Sequence, residues 1–243
     1  MRGLSLSSLA AGVLTLLLAA APLRAAEEVD LTLALMVDAS GSVDSREYQL
    51  QRVGYIQAFR DPRVIDAVRS GYFRKVAVTM VEWTGPALQA SIAEWTVLSD
   101  AESVEAFAKR LETEPRFLYG GGTSVGAAIL FGAQVTDESG YKALRRVIDV
   151  SGDGSNNRGI SAALARDRVV AQGFVVNGLP ILTDEPHLDR YYESEVIGGP
   201  GAFVIAAKSF EDFARAIRAK LIREIAGRPT QDIDERDMET AER

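Results

Sequence analysis

Cysteine is absent from this 243-residue chain, and histidine occurs once, at position 187. Without thiols there is no disulfide framework and no lipid-modified N-terminal cysteine. A zinc site built from the usual nitrogen and sulfur ligands has too few of them here. Clustered basic residues are also missing. The net charge is −7, and such a surface repels nucleic-acid phosphates and anionic lipid, which sets nucleic-acid binding aside. After the first 26 residues no stretch is apolar enough to span a bilayer, and neither an internal repeat nor an interdomain linker is visible.

The one long apolar run stands at the start. Arg2 precedes an uncharged segment from Gly3 to Leu23, densest in AAGVLTLLLAAA, and the small residues Ala25 and Ala26 come just before the acidic pair Glu27 and Glu28. That layout predicts a secretory signal peptide over residues 1–26, with an apolar core too short for a comfortable span. The mature protein is expected to be periplasmic or secreted, without stable membrane insertion, and more acidic still once Arg2 and Arg24 are gone. At the other end, GRPTQDIDERDMETAER (227–243) has little to bury and reads as a solvated tail.

Between these ends, residues 27–226 alternate between strand and helix patterns. Leu31 to Val37 suits a strand buried on both faces. Asp44 and Glu47 form a capping box ahead of a helix with Leu50, Val53, Ile56 and Phe59 along one side. Lys75–Trp83 and Ala90–Leu98 read as strands around the Thr84-Gly85-Pro86 turn. A second capping box, Ser99 and Glu102, opens a helix with Val104, Phe107, Ala108 and Leu111 on one face. Val125 to Ala133 predicts a buried small-residue helix. Arg146–Val150, Phe174–Leu182 and Ala202–Ile205 read as further strands, with helices over 160–171 and from Ser209 onward. Tyr191 and Tyr192 suit half-buried helix positions, and Trp83 and Trp95 suit strand packing. The alternation predicts an α/β fold: a doubly wound, mostly parallel sheet with helices on both faces.

In such sheets ligands bind at the carboxyl ends of strands, where the strand order reverses. Three polar loops belong at that edge. VDASGS (37–42) follows the first strand, SGDGSNN (151–157) follows a later one, and YGGGTS (119–124) leads into the small-residue helix. Ser40, Ser42 and Thr123 offer neutral hydroxyl oxygens; Asp38 and Asp153 offer charge. Hard oxygen donors suit Mg2+, Mn2+ or Ca2+ and disfavour zinc. Taken as turns alone, the same residues would cap helices and satisfy loop amides.

The order of these three motifs resembles the von Willebrand factor type A (VWFA) family and its metal-ion-dependent adhesion site (MIDAS). Asp38, Ser40 and Ser42 match the family's Asp-x-Ser-x-Ser, Thr123 its Gly-rich-loop threonine, and Asp153 its third-loop aspartate. The resemblance covers about Asp30 to Ala226 and points to an exported bacterial branch of unknown function. It implies a Rossmann-like VWFA fold, and a binding module in place of an enzyme. Asp38, Ser40, Ser42, Thr123 and Asp153 would hold Mg2+, or Mn2+ or Ca2+, and a protein partner's Asp or Glu carboxylate would complete the ion's shell. The third loop departs from the family pattern through Asn156 and Asn157.

A hydrolase reading competes. GTSVG (122–126) fits G-x-S-x-G, and Ser124, Asp153 and His187 run in the order of nucleophile, acid and base. Its context differs: ETEPRFLYG precedes the serine where a buried strand is needed, and no HGGG-like loop is present. SGDGSNN also lacks the alternation and closing glutamate of an EF-hand.

Overall fold

The computed structural model describes residues 26–227. The predicted signal segment ahead of Ala26 and the predicted tail beyond Gly227 lie outside the described residues.

Strand β1 spans Glu27–Asp38. Its alternate residues serve two cores, because side chains on a strand point to opposite faces in turn. Leu31, Leu33, Leu35 and Val37 enter one apolar cluster; Ala34 and Met36 enter the other. An unbroken apolar run is what a centre strand covered on both faces requires. β2 (Val76–Trp83) and β4 (Tyr141–Gly152) flank it in parallel. β3 (Gln89–Leu98) runs antiparallel to β2, and β5 (Val175–Pro180) parallel to β4. The order is β3-β2-β1-β4-β5, so the chain departs to one side of β1 and later returns on its other side.

In chain order the helices are α1 (Ser45–Phe59), α2 (Pro62–Arg69), α3 (Ala101–Thr113), α4 (Val125–Asp137), α5 (Ala162–Ala171), α6 (Leu188–Tyr191) and α7 (Phe213–Ala226). α1, α2, α3 and α7 feed the first cluster. α4, α5 and α6 feed the second, with the π-turn Tyr192–Val196 that extends α6. The fold is the doubly wound α/β sheet that the sequence predicts.

Several local expectations change. Val53 is 44% exposed, because α1 turns Tyr48, Tyr55, Ile56 and Phe59 inward, with Gln51 and Arg52 buried beside them. Large aromatics outweigh the aliphatic stripe. The cap of α3 is Asp100, whose carboxylate accepts from the Ser103 amide at 2.8 Å; the carboxylate one residue downstream displaces Ser99. β4 begins five residues earlier than Arg146 and pairs with β1 from Glu27 onward. Its first half alternates exposed and part-buried positions, so its apolar signal is confined to the second half. Ala202–Ile205 is not a strand; Val204 makes a single bridge to Gly178. α2 has no counterpart among the predicted elements; it starts at Pro62 behind the N-cap Asp61, with Val64, Ala67 and Val68 buried at helical spacing.

A buried ionic cluster ties α7 to the sheet. Lys220 is fully buried, its Nζ 2.7 Å from Asp149 Oδ1 on β4 and 2.5 Å from Glu224 Oε1. Asn177 on β5 donates to the same glutamate oxygen at 3.0 Å.

Candidate metal centre

Asp38 is the last residue of β1 and is fully buried. The Ser40 amide donates to its Oδ1 at 2.7 Å, which turns the chain back over the strand end. Ser40 Oγ and Ser42 Oγ then lie 3.2 Å apart, and Ser42 Oγ donates to Asp153 Oδ1 at 2.7 Å. Asp153 follows directly on β4, the neighbour of β1, so parallel pairing carries two distant loops to one edge. Gly152 is required here: a Cβ on it would stand 2.7 Å from Asp38 Oδ2 and 3.1 Å from the Tyr192 hydroxyl.

The Gly-rich loop closes the third side. Gly41 N–H donates to Gly121 O at 3.2 Å, and Gly121 holds φ +99°, a conformation a side chain would strain. Asn157 grips Thr123 from both directions. Its Oδ1 accepts from the Thr123 amide, and its own amide donates to the Thr123 carbonyl, each at 2.9 Å. No hydrogen bond among the described residues engages the Thr123 hydroxyl, which stands 3.7 Å from where a Gly154 Cβ would be. All five predicted site residues, Asp38, Ser40, Ser42, Thr123 and Asp153, thus gather around one edge. A cleft of about 210 Å³ opens there, lined by Ser42, Thr123 and Asp153 together with Asp184 and Glu185.

The electrostatics of this edge are unbalanced. Burial, reinforced by the Asp153 charge, pushes the Asp38 carboxyl up to about 7, against the pull of the Ser40 amide. Burial also raises Asp153, with Asp184 and Glu47 adding repulsion against the Ser42 hydrogen bond. Asp38 Oδ2 and Asp153 Oδ2 are both buried without a hydrogen-bond partner. Unpaired carboxylate oxygens of this kind are costly unless a cation or donor compensates them. The donor set of hydroxyls and two carboxylates is all hard oxygen and fits a divalent cation. Among the described residues no three His, Cys, Asp or Glu side chains are placed to hold a metal ion by themselves, so the neutral hydroxyls would be essential to such a site.

Residues 28–229 match the family described as Protein of unknown function (DUF1194). The chain belongs to that family. No curated protein matches it. Solved structures share its fold. Proximal thread matrix protein 1 from the mussel byssus is 14% identical over 82% of this chain and 48% of its own, with a TM-score of 0.61; another crystal of that protein has a zinc-occupied MIDAS motif. A von Willebrand factor type A protein from Catenulispora acidiphila is 15% identical over 81% and 43%, TM-score 0.55. The von Willebrand factor domain of the type V pili tip protein Mfa5 from Porphyromonas gingivalis is 7% identical over 85% and 99%, TM-score 0.57. The chain spans less than half the length of the first two. At these identities the likeness establishes the fold, which is that of a VWFA domain.

The DUF1194 chain supports its three loops with contacts that sequence reading missed. Asn156 Oδ1 accepts from the Gly126 amide at 3.0 Å and so caps α4, whose N-cap residue Ser124 makes no such bond. Glu82 sits fully buried near the end of β2 and accepts from the Phe117 and Leu118 amides at 2.9 and 2.8 Å. Tyr48 donates to its other oxygen at 2.5 Å, and Arg52 lies 3.6 Å away. Arg116 donates to the carbonyls of Ala39 and Val43 in the first loop. The Gly-rich loop is therefore tethered to both neighbours. The only available signals were one glutamate inside an apolar strand and two adjacent asparagines. Asp184 and Glu185 carried none; Glu185 accepts from the Ser155 amide at 2.9 Å.

The hydrolase trio does not form a relay. Ser124 Oγ donates to the Arg158 carbonyl at 3.0 Å, Asp153 Oδ1 is taken by Ser42, and His187 is exposed at the start of α6.

Proposed function

We propose that this DUF1194 protein is an exported, divalent-cation-dependent binding module of the adhesion type. Asp38, Ser40, Ser42, Thr123 and Asp153 hold the ion, and the partner is a protein that presents an Asp or Glu carboxylate. The observation that carries this reading is the meeting of three polar loops around two buried, unpartnered carboxylate oxygens. Two fold neighbours add support: the mussel protein with a zinc-occupied MIDAS motif and the Mfa5 pilus-tip domain. Bound in the cleft, a cation supplies a Lewis-acidic position for the partner's carboxylate. The chain's own residues do the rest. The three hydroxyls leave such a cation electron-poor, Asn157 sets the place of Thr123, and Asp153 orients Ser42. Mg2+ is the expected ion, with Mn2+ or Ca2+ suited to the same oxygens.

Titration calorimetry tests this. Wild-type protein is expected to bind Mg2+, or Mn2+ or Ca2+, and Asp38→Ala to bind at least about tenfold more weakly with its circular dichroism unchanged. Equal affinity in both proteins, or no binding by the wild type, removes the reading.

Export belongs to the same proposal. Protein isolated from its native host should begin near Ala26 or Glu27 and stay in the soluble extracytoplasmic fraction, as N-terminal sequencing will read. An intact Met1 in the membrane fraction contradicts it.

A further inference from the structure

Beside the cleft lies a second, larger groove of about 740 Å³, lined by Pro86, Leu88 and Arg158. Gly121 and Asn157 line both spaces, so groove and cleft adjoin. Leu88 is 51% exposed and offers an apolar contact. Arg158 is exposed. About half of the arginines among the described residues pair with a carboxylate: Arg60 with Glu105, Arg146 with Asp137, Arg215 with Asp212. Arg158 has no acidic partner among the described residues, although acids outnumber bases 34 to 27 across the whole chain.

Its backbone is anchored. The Arg158 amide donates to the Thr123 carbonyl at 3.2 Å, and its carbonyl accepts from Ser124 Oγ and Asn156 Nδ2. Its stem lies across Gly122, where a Cβ would stand 2.4 Å from Arg158 Cγ. A side chain held this way loses less freedom when it binds. The cleft's wall, by contrast, includes Asp184 and Glu185. A ligand with one carboxylate in the cleft is repelled by that wall and drawn along the groove toward the guanidinium.

We propose that the groove selects the partner sequence: a peptide segment with two acidic side chains and an apolar one between them. One carboxylate enters the cleft, the apolar side chain packs against Pro86 and Leu88, and Arg158 takes the second carboxylate. This rests on the adhesion reading and adds the partner's chemical class to it.

The test is fluorescence anisotropy with labelled hexapeptides centred on Asp-Leu-Glu, Asp-Leu-Gln and Asp-Ser-Glu, in Mg2+ and in chelator. Wild-type protein is expected to bind Asp-Leu-Glu about three- to tenfold more tightly than Asp-Leu-Gln in Mg2+, and more tightly than Asp-Ser-Glu. Arg158→Ala should bind Asp-Leu-Gln as the wild type does and show no preference for Asp-Leu-Glu. Arg158→Glu should reverse the preference. Concentrated salt should shrink it in the wild type. Metal-dependent binding with the same preference in wild type and Arg158→Ala, or with none in the wild type, overturns this inference and leaves the adhesion reading standing. Binding of every peptide that is absent, or indifferent to chelator, overturns both.

Discussion

Thr123→Ala is expected to cut divalent-ion affinity by at least about tenfold, and partner capture with it, while Ser124→Ala preserves both. The two residues are neighbours with different surroundings. The Thr123 backbone is held by Asn157 and Arg158, so truncation to alanine leaves the loop in place and removes only an uncommitted hydroxyl at the cleft. Ser124 Oγ is committed to the Arg158 carbonyl, away from Asp38 and Asp153, and its loss should cost about 1 kcal/mol of stability. Thr123→Ser keeps the oxygen and should restore binding. In the hydrolase reading the ranking inverts, since Ser124→Ala would then abolish turnover. Magnesium titration of the three variants, alongside a generic ester assay, separates the two. Ester turnover that disappears in Ser124→Ala and ignores chelator would sink the adhesion reading; none is expected from the parent or any variant.

The largest effect on stability should come from Lys220→Met. Lys220 is fully buried between Asp149 and Glu224, and removing one partner of a buried ionic group leaves charge without compensation, at about 3–5 kcal/mol. The loss should depend on pH with a definite sign. Burial and the Glu224 charge push Asp149 up to about 8 from an ordinary 3.8, while Lys220 pulls it down. Without the ammonium the carboxyl rises further. An acid whose folded value is raised imposes no penalty below its unfolded value, and its penalty grows as pH climbs toward the folded value. Asp149 is protonated in both folded proteins below about 8, so its share of the loss on Lys220→Met is the same near pH 5 and pH 7 and grows only above about pH 8. Urea denaturation at about pH 6 and pH 9.5 checks this; an equal loss at both, or a loss below about 1 kcal/mol, contradicts the account.

Some of the site was legible because its signals are local. VDASGS after an apolar run, a Gly-rich loop before a small-residue helix and SGDG after a strand each announce a strand end or a helix start, and doubly wound sheets bring such ends to one edge. The supporting contacts were not legible. Glu82 looks like a polar interruption of β2 until the Phe117 and Leu118 amides are seen to need it. Asn157 is one loop residue among several until it closes on Thr123 across an intervening helix. On α1, Ile56 and Phe59 are buried and Leu50 packs beside them as expected. Val53 is exposed, because Tyr48, Tyr55 and the pairing of Arg52 with Glu82, all tertiary effects, shift the inner face.

The sequence by itself determined the fold class and the candidate oxygen donors. Strand and helix periods are written in neighbouring residues, and a chain with no cysteine and one histidine leaves oxygen to bind any ion. Only the tertiary structure decided that Asp38 and Asp153 keep unpartnered buried oxygens, that Asp184 and Glu185 border the cleft, and that Arg158 stands unpaired beside it. Each of these is a property of space between loops far apart in the chain. Such space exists only once β1 and β4 lie side by side, and no local pattern encodes it.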